Sequence, residues 1–204
     1  MDSIQQFWAW FRANHAAYFF LNQMEAETKE GLLNQLLDQL HRYCDKLYFE
    51  MGGHPDEDQE LIITAEGNTG YFEKVESLVA GAPEISGWKF IAFIPPKGVA
   101  FRLQYEDVEL RPGEMWFLPL HNPYNPASLG IRLCTANYEL IKESRWLDPA
   151  LYKLLDIVIG EKSFALDIDY VALEQLPDDP DEQGLIRLSD LQRYISWKKK
   201  SVFR

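Results

Sequence analysis

Cysteine is scarce: only Cys44 and Cys134 occur in 204 residues. Two cysteines do not build a disulfide framework, so reduced and mostly buried thiols are expected. Long apolar runs are missing too. The most apolar early stretch, "IQQFWAWFRANHAAYFFL", is interrupted by Arg12, Asn14 and His15, and no basic segment precedes it. It has neither the layout of a secretory leader nor the roughly 20 apolar residues of a membrane span. A cytoplasmic location with no membrane partner is the expectation.

Positive charge is the third shortage. Lys and Arg number 20 against 32 Asp and Glu, a formal net charge of −12. Such a surface repels phosphate backbones, so no general nucleic-acid binding is expected. One local exception is the basic end "WKKKSVFR" (Trp197 to Arg204), which follows the acidic stretch "EQLPDDPDEQG". It is the only segment that offers charge to RNA, or to the acidic stretch itself.

Apolar residues are plentiful at 47%, with six Trp, ten Tyr and twelve Phe, enough for a sizeable core. Ser3 with Gln6 makes a capping-box pattern. Ile4, Phe7, Trp8, Phe11, His15, Tyr18 and Phe19 then recur at helical spacing. A second stripe runs through Leu33, Leu36, Leu37, Leu40, Cys44 and Leu47. The two predict a helical hairpin over residues 1–45, packed on a sheet-containing body of residues 46–204 in a single α+β domain.

In that body "LYFEM" predicts a strand. "LIITA" and "GWKFIAFI" are apolar on both faces, as buried strands are. Between them Tyr71, Phe72, Val75, Leu78 and Val79 mark a helix that Gly81 stops. Residues 61–94 therefore read as a β-α-β unit. "VAFRLQY" alternates as a strand. "VELRPGEMWFLPL" reads as a hairpin around Pro112-Gly113, and "IRLCTAN" as a further strand. Asp148 and Pro149 start a helix that Gly160 ends. "FALDIDYVAL" alternates like a strand with Asp167 and Asp169 on its wet face, and Ser189 with Gln192 caps a last helix. The fold class is α+β: a ferredoxin-like mixed sheet of two β-α-β-like units with an inserted β-meander.

The chemistry-bearing motifs are few. "EGNTG", after the first central strand, fits neither G-x-x-x-x-G-K-[ST] nor G-x-G-x-x-G, and Glu66 opposes a phosphate. It reads as a turn, with Asn68 or Thr69 capping the next helix and Gly67 and Gly70 permitting the bend. Its position beside a parallel strand still makes Glu66 and Asn68 candidate ligand-binding residues. "HNPYNP" adds His121, Asn122 and Tyr124, a dense polar set on a proline-stiffened loop. His54, Asp56 and Asp58 lack the spacing of a metal loop, and His41 with Cys44 is short of ligands, so no metal and no cofactor is expected. There is no G-x-S-x-G elbow, and no catalytic residue is assigned.

The segments "FWAWF", "YFEMGG", "ELIITAEGN", "FEKVESLVAGAP", "GWKFIAF" and "LLDIVIGEKSFALDIDYVALEQLP" together resemble a family of uncharacterised bacterial proteins, over most of the chain. That resemblance brings no activity with it. The β-α-β plan loosely resembles small acidic ferredoxin-like regulators such as ribonuclease E inhibitors, an analogy of fold alone. The expectation is a non-enzymatic protein-interaction or regulatory domain with a protein partner. The alternative is a small-molecule-binding or hydrolytic protein with a polar site near Glu66 and His121.

Overall fold

The computed structural model describes residues 2–53 and 57–202. They form an α+β chain of seven α-helices and nine strands, the strands divided among three sheets. The fold groups into two compact units, 1–94 and 95–204. Among the described residues no helix is long and apolar enough to cross a membrane.

In the first unit α1 spans Ser3–Asn14 and α2 spans Ala26–Tyr43. The cap of α1 is Asp2 and not Ser3: Gln5 N–H donates to Asp2 Oδ1 at 2.8 Å. A carboxylate here also complements the positive end of the helix dipole. The helical stripe does not continue to Phe19. After Asn14 the chain tightens into 3₁₀ turns at His15–Tyr18 and Leu21–Gln23. Tyr18 is buried there and its Oη donates to Leu32 O at 3.1 Å, tying the connection to α2.

Strands β1 (Tyr48–Gly52), β2 (Gln59–Thr64) and β3 (Trp88–Ala92) form a sheet in the order β1-β2-β3. β1 and β2 are antiparallel, with Met51 opposite Leu61. β2 and β3 are parallel, with Leu61 opposite Phe90, and are joined through α3 (Phe72–Ala80). This is the β-α-β unit that the doubly apolar strands predicted. Partners in register share a face, so Met51, Leu61 and Phe90 lie together. That face takes α1: Trp8 meets Phe90 at 4.6 Å between ring centroids, and Phe11 meets Trp88 edge-on at 5.0 Å. Trp8 Nε1–H donates to Leu78 O at 2.7 Å, which fixes α1 against the end of α3.

In the second unit β4 (Leu103–Tyr105) and β5 (Val108–Leu110) make a short hairpin. The expected hairpin around Pro112-Gly113 is not formed: Pro112–Glu114 is a 3₁₀ turn, and the tight reversal lies at Glu106, with φ 52°. A four-stranded sheet follows, made from β6 (Trp116–His121), β7 (Leu129–Thr135), β8 (Tyr170–Gln175) and β9 (Ile186–Arg187), in the order β8-β7-β6-β9. β7 and β8 are parallel, and the connection between them carries α4 (Tyr138–Ile141), α5 (Leu147–Ile159) and α6 (Glu161–Asp167). The second β-α-β unit thus exists, in a different sheet from the first.

The strand expected over Phe164 to Leu173 begins only at Tyr170, and Asp167 closes α6. α7 (Leu191–Val202) ends the described chain. The core joins Phe117, Ile131 and Leu133 of the sheet to Leu151, Leu154 and Leu155 of α5 and to Leu191 and Ile195 of α7.

Candidate functional site

The "EGNTG" turn behaves as a helix entry. Asn68 Oδ1 accepts from Gly70 N–H at 3.2 Å, in front of a 3₁₀ turn at Thr69–Tyr71 that leads into α3. Gly67 takes a left-handed φ of 76°, and so does Glu66, at 49°. A non-glycine residue in that region is uncommon, and bends of this kind gather at ligand sites. Glu66 N–H donates to Thr64 Oγ1 at 2.9 Å, which holds the bend.

Glu66 also lines a cavity of about 680 Å³ in the first unit. That volume lies inside the range of small-ligand pockets. The walls are the 3₁₀ connection (Tyr18, Phe19, Phe20), α2 (Lys29, Leu33, Leu37) and β1 (Tyr48, Phe49, Met51, Gly52). Asn22, Gln23, Asn34 and Gln59 supply amides around this apolar floor. At one end Gly87 has a φ of 79°, and an added Cβ would meet the Phe19 ring at 3.0 Å. Only glycine lets the connection lie this close to the sheet.

The cavity runs along β1, which among the described residues pairs only with β2 and is therefore a sheet edge. No residue of β1 is fully buried, whereas four consecutive residues of β2 are. Phe20 is 63% exposed and Tyr48 is 36% exposed, both on the same groove. Asn68 is exposed and does not line it.

The other sequence candidates lie in the second unit. His121 ends β6 and is exposed. Asn122 Oδ1 accepts from Tyr124 N–H at 2.9 Å, and Asn125 N–H donates to Asn122 O at 3.2 Å. These bonds make a self-contained turn, and Tyr124 stands 96% exposed on it. The five candidate residues are thus split between the two units, Glu66 and Asn68 in one and His121, Asn122 and Tyr124 in the other.

His54 and Asp56 lie outside the described residues, and Asp58 is exposed. Among the described residues no three His, Cys, Asp or Glu side chains gather closely enough to hold a metal ion. His41 is engaged through Nε2 with Leu47 O at 3.1 Å. Cys134 is buried, and burial first, then the Glu174 charge, push its thiol pKa up, against Arg132; a raised pKa keeps it from acting as a nucleophile.

Sequence reasoning placed Lys198 and Lys199 in a basic end and Asp167 on the wet face of a strand, and did not bring them together. Lys199 Nζ pairs with Asp167 at 2.8 Å, not with the acidic stretch upstream. Lys198 is buried, with Nζ donating to Pro126 O at 3.0 Å. A helical phase that places Lys198 three residues after the buried Ile195 was the available signal.

No protein-family model, curated protein or solved structure matches the chain. Activity and residue roles therefore rest on the geometry alone.

Proposed function

We propose that the chain is a non-enzymatic protein-interaction domain whose first unit receives an extended, basic and partly apolar segment of a partner protein. The observation that carries this reading is the groove between α2 and the free edge of β1. An edge strand offers a row of unpaired backbone groups, and an incoming strand satisfies them. Alternate side chains of that strand then enter the groove, over Leu33, Leu37, Phe49 and Met51. The helical hairpin of α1 and α2 belongs to the same reading, because α2 supplies the wall opposite the edge.

Charge selects the segment. The first unit holds fifteen Asp and Glu against six Lys and Arg, a formal net charge of −9. A basic segment is attracted to such a surface and an acidic one repelled, within roughly 10 Å at 0.1 M salt. The small-molecule alternative draws on Glu66 at the groove, while His121 belongs to the other unit.

The test uses fluorescent nonapeptides that alternate apolar residues with lysine, titrated into the full chain, against counterparts carrying glutamate. The lysine peptides are expected to bind at least about tenfold tighter. Binding should slow hydrogen exchange at the Tyr48–Gly52 amides, and Leu33→Glu should weaken it by a similar factor. Equal affinity for both peptide charges, or binding that leaves β1 exchange unchanged, refutes the reading.

A further inference from the structure

The second unit holds a separate cavity of about 310 Å³, at the low end of ligand-pocket volumes. Its walls come from the end of the β6–β7 loop (Ser128), the start of β7 (Leu129), the end of α6 (Leu166, Asp167), Asp169, and α7 (Ile195, Lys198, Lys199). Lys198 is the unusual member. It is only 9% exposed, yet the sole hydrogen bond of its amine among the described residues is to the Pro126 carbonyl. An ammonium carries three protons and a full charge. Taken out of water, it requires a counter-charge and further acceptors.

Neither neighbouring carboxylate is ion-paired with it. Asp167 is taken by Lys199 and by Ser163 Oγ, which donates to it at 2.8 Å. Asp169 Oδ2 accepts from Leu129 N–H at 2.8 Å, and no ion pair joins Asp169 to Lys198. The same cavity is lined by half-buried Ser128, and by Leu129 and Ile195, which are buried and apolar.

From this arrangement we infer that the cavity binds a small aliphatic monocarboxylate, its carboxylate on Lys198 and its hydrocarbon body against Leu129 and Ile195. A single negative charge matches the one cavity amine that has no ion-pair partner among the described residues. Phosphate, with more charge to place, meets Asp167 and Asp169 in the same small space. This site is independent of the peptide groove, which lies wholly in the other unit.

The experiment titrates the full chain with 4-methylpentanoate, its neutral amide, and inorganic phosphate. Binding is followed by the NMR signal of the Lys198 side-chain methylene next to the amine. The acid is expected to saturate near a Kd of order 1 mM, with the amide and phosphate at least about tenfold weaker. Lys198→Met keeps the length of the side chain and removes the charge, and should abolish the preference for acid over amide. No saturation by about 50 mM acid overturns the inference, since that lies far above the expected Kd. Equal binding of acid and amide, tighter binding of phosphate, or unchanged acid binding by a folded Lys198→Met protein overturns it as well. If that variant fails to fold, the three-ligand comparison on the unaltered chain decides alone.

Discussion

Gly81 caps the end of α3 at a φ of −86°, a value that any residue adopts. Replacing it with alanine therefore introduces no backbone strain. The obstacle is a single methyl group: an added Cβ would lie 2.6 Å from Ile4 Cγ2, whereas the next neighbour, Ser77 O, is 3.5 Å away. Two effects of opposite sign compete. Overpacking of this kind costs about 1–3 kcal/mol, and Gly→Ala in a permitted conformation returns about 0.4–1 kcal/mol through the unfolded chain. The clash wins, and Gly81→Ala should destabilise the first unit by about 1–2 kcal/mol.

The sign should then reverse with Ile4→Ala. With the methyl group gone only the unfolded-state gain remains, and Gly81→Ala should stabilise by up to about 1 kcal/mol. The coupling energy is about 2 kcal/mol, within the range for residues in contact. Native-state hydrogen exchange of the α3 amides reads it locally, free of the second unit's own unfolding. Equal destabilisation by Gly81→Ala in both backgrounds would refute the placement of α1 against the end of α3.

Two further outcomes follow from the second unit. Cys134 is 3% exposed and its pKa is raised, so the native chain should show one accessible thiol, Cys44, and a second that reacts at least about a hundredfold more slowly; equal rates in a thiol-exchange assay would contradict this. Glu109 accepts from Arg102 and from Arg111, the latter at 2.9 Å, and these bonds, Arg102's first, hold its carboxyl below the usual pKa. A depressed carboxylate contributes stability above its ordinary pKa and loses it as pH falls through the lower, folded value. Glu109→Gln should thus lower the melting temperature slightly at pH 7 and not at all at pH 2, and a deficit that stays constant with pH would remove the cause assigned here.

The elements legible in the sequence were those whose pattern admits one period. β2 reads as a central strand because Leu61, Ile62 and Ile63 are consecutive and apolar, and all three are buried. Phe164 to Asp169 admits two. Alternation of Phe164, Leu166 and Ile168 with Asp167 and Asp169 suggests a strand, but Phe164 and Ile168 are also i and i+4. Packing decides for the helix: Phe164 sits 5.8 Å from Tyr152 of α5, after a reversal at Gly160 with φ 87°. Pro112-Gly113 marks a turn correctly but not its partners, since strand pairing is set by contacts beyond the turn. Glu66 was visible as a residue at a strand end. The groove it borders was not, because its other walls, at Phe20, Leu33 and Phe49, lie 17 to 46 residues earlier in the chain.

Net charge conceals a further distinction that the two units make plain. Of the total of −12, the first unit carries −9 and the second only −3, with seventeen acidic and fourteen basic residues. The basic end that composition offers to RNA is also partly consumed, since Lys198 is buried and Lys199 is paired. Screening then separates the two proposed sites. An open groove on an acidic unit attracts its ligand through solvent, and that attraction weakens steeply between 50 mM and 500 mM salt. A carboxylate on a buried amine interacts at short range in a drier medium, and salt affects it little. Steep salt dependence for the peptide beside a shallow one for the acid is the pattern that two physically different sites require, whereas a common salt slope would mean that both ligands report only the bulk charge of the chain.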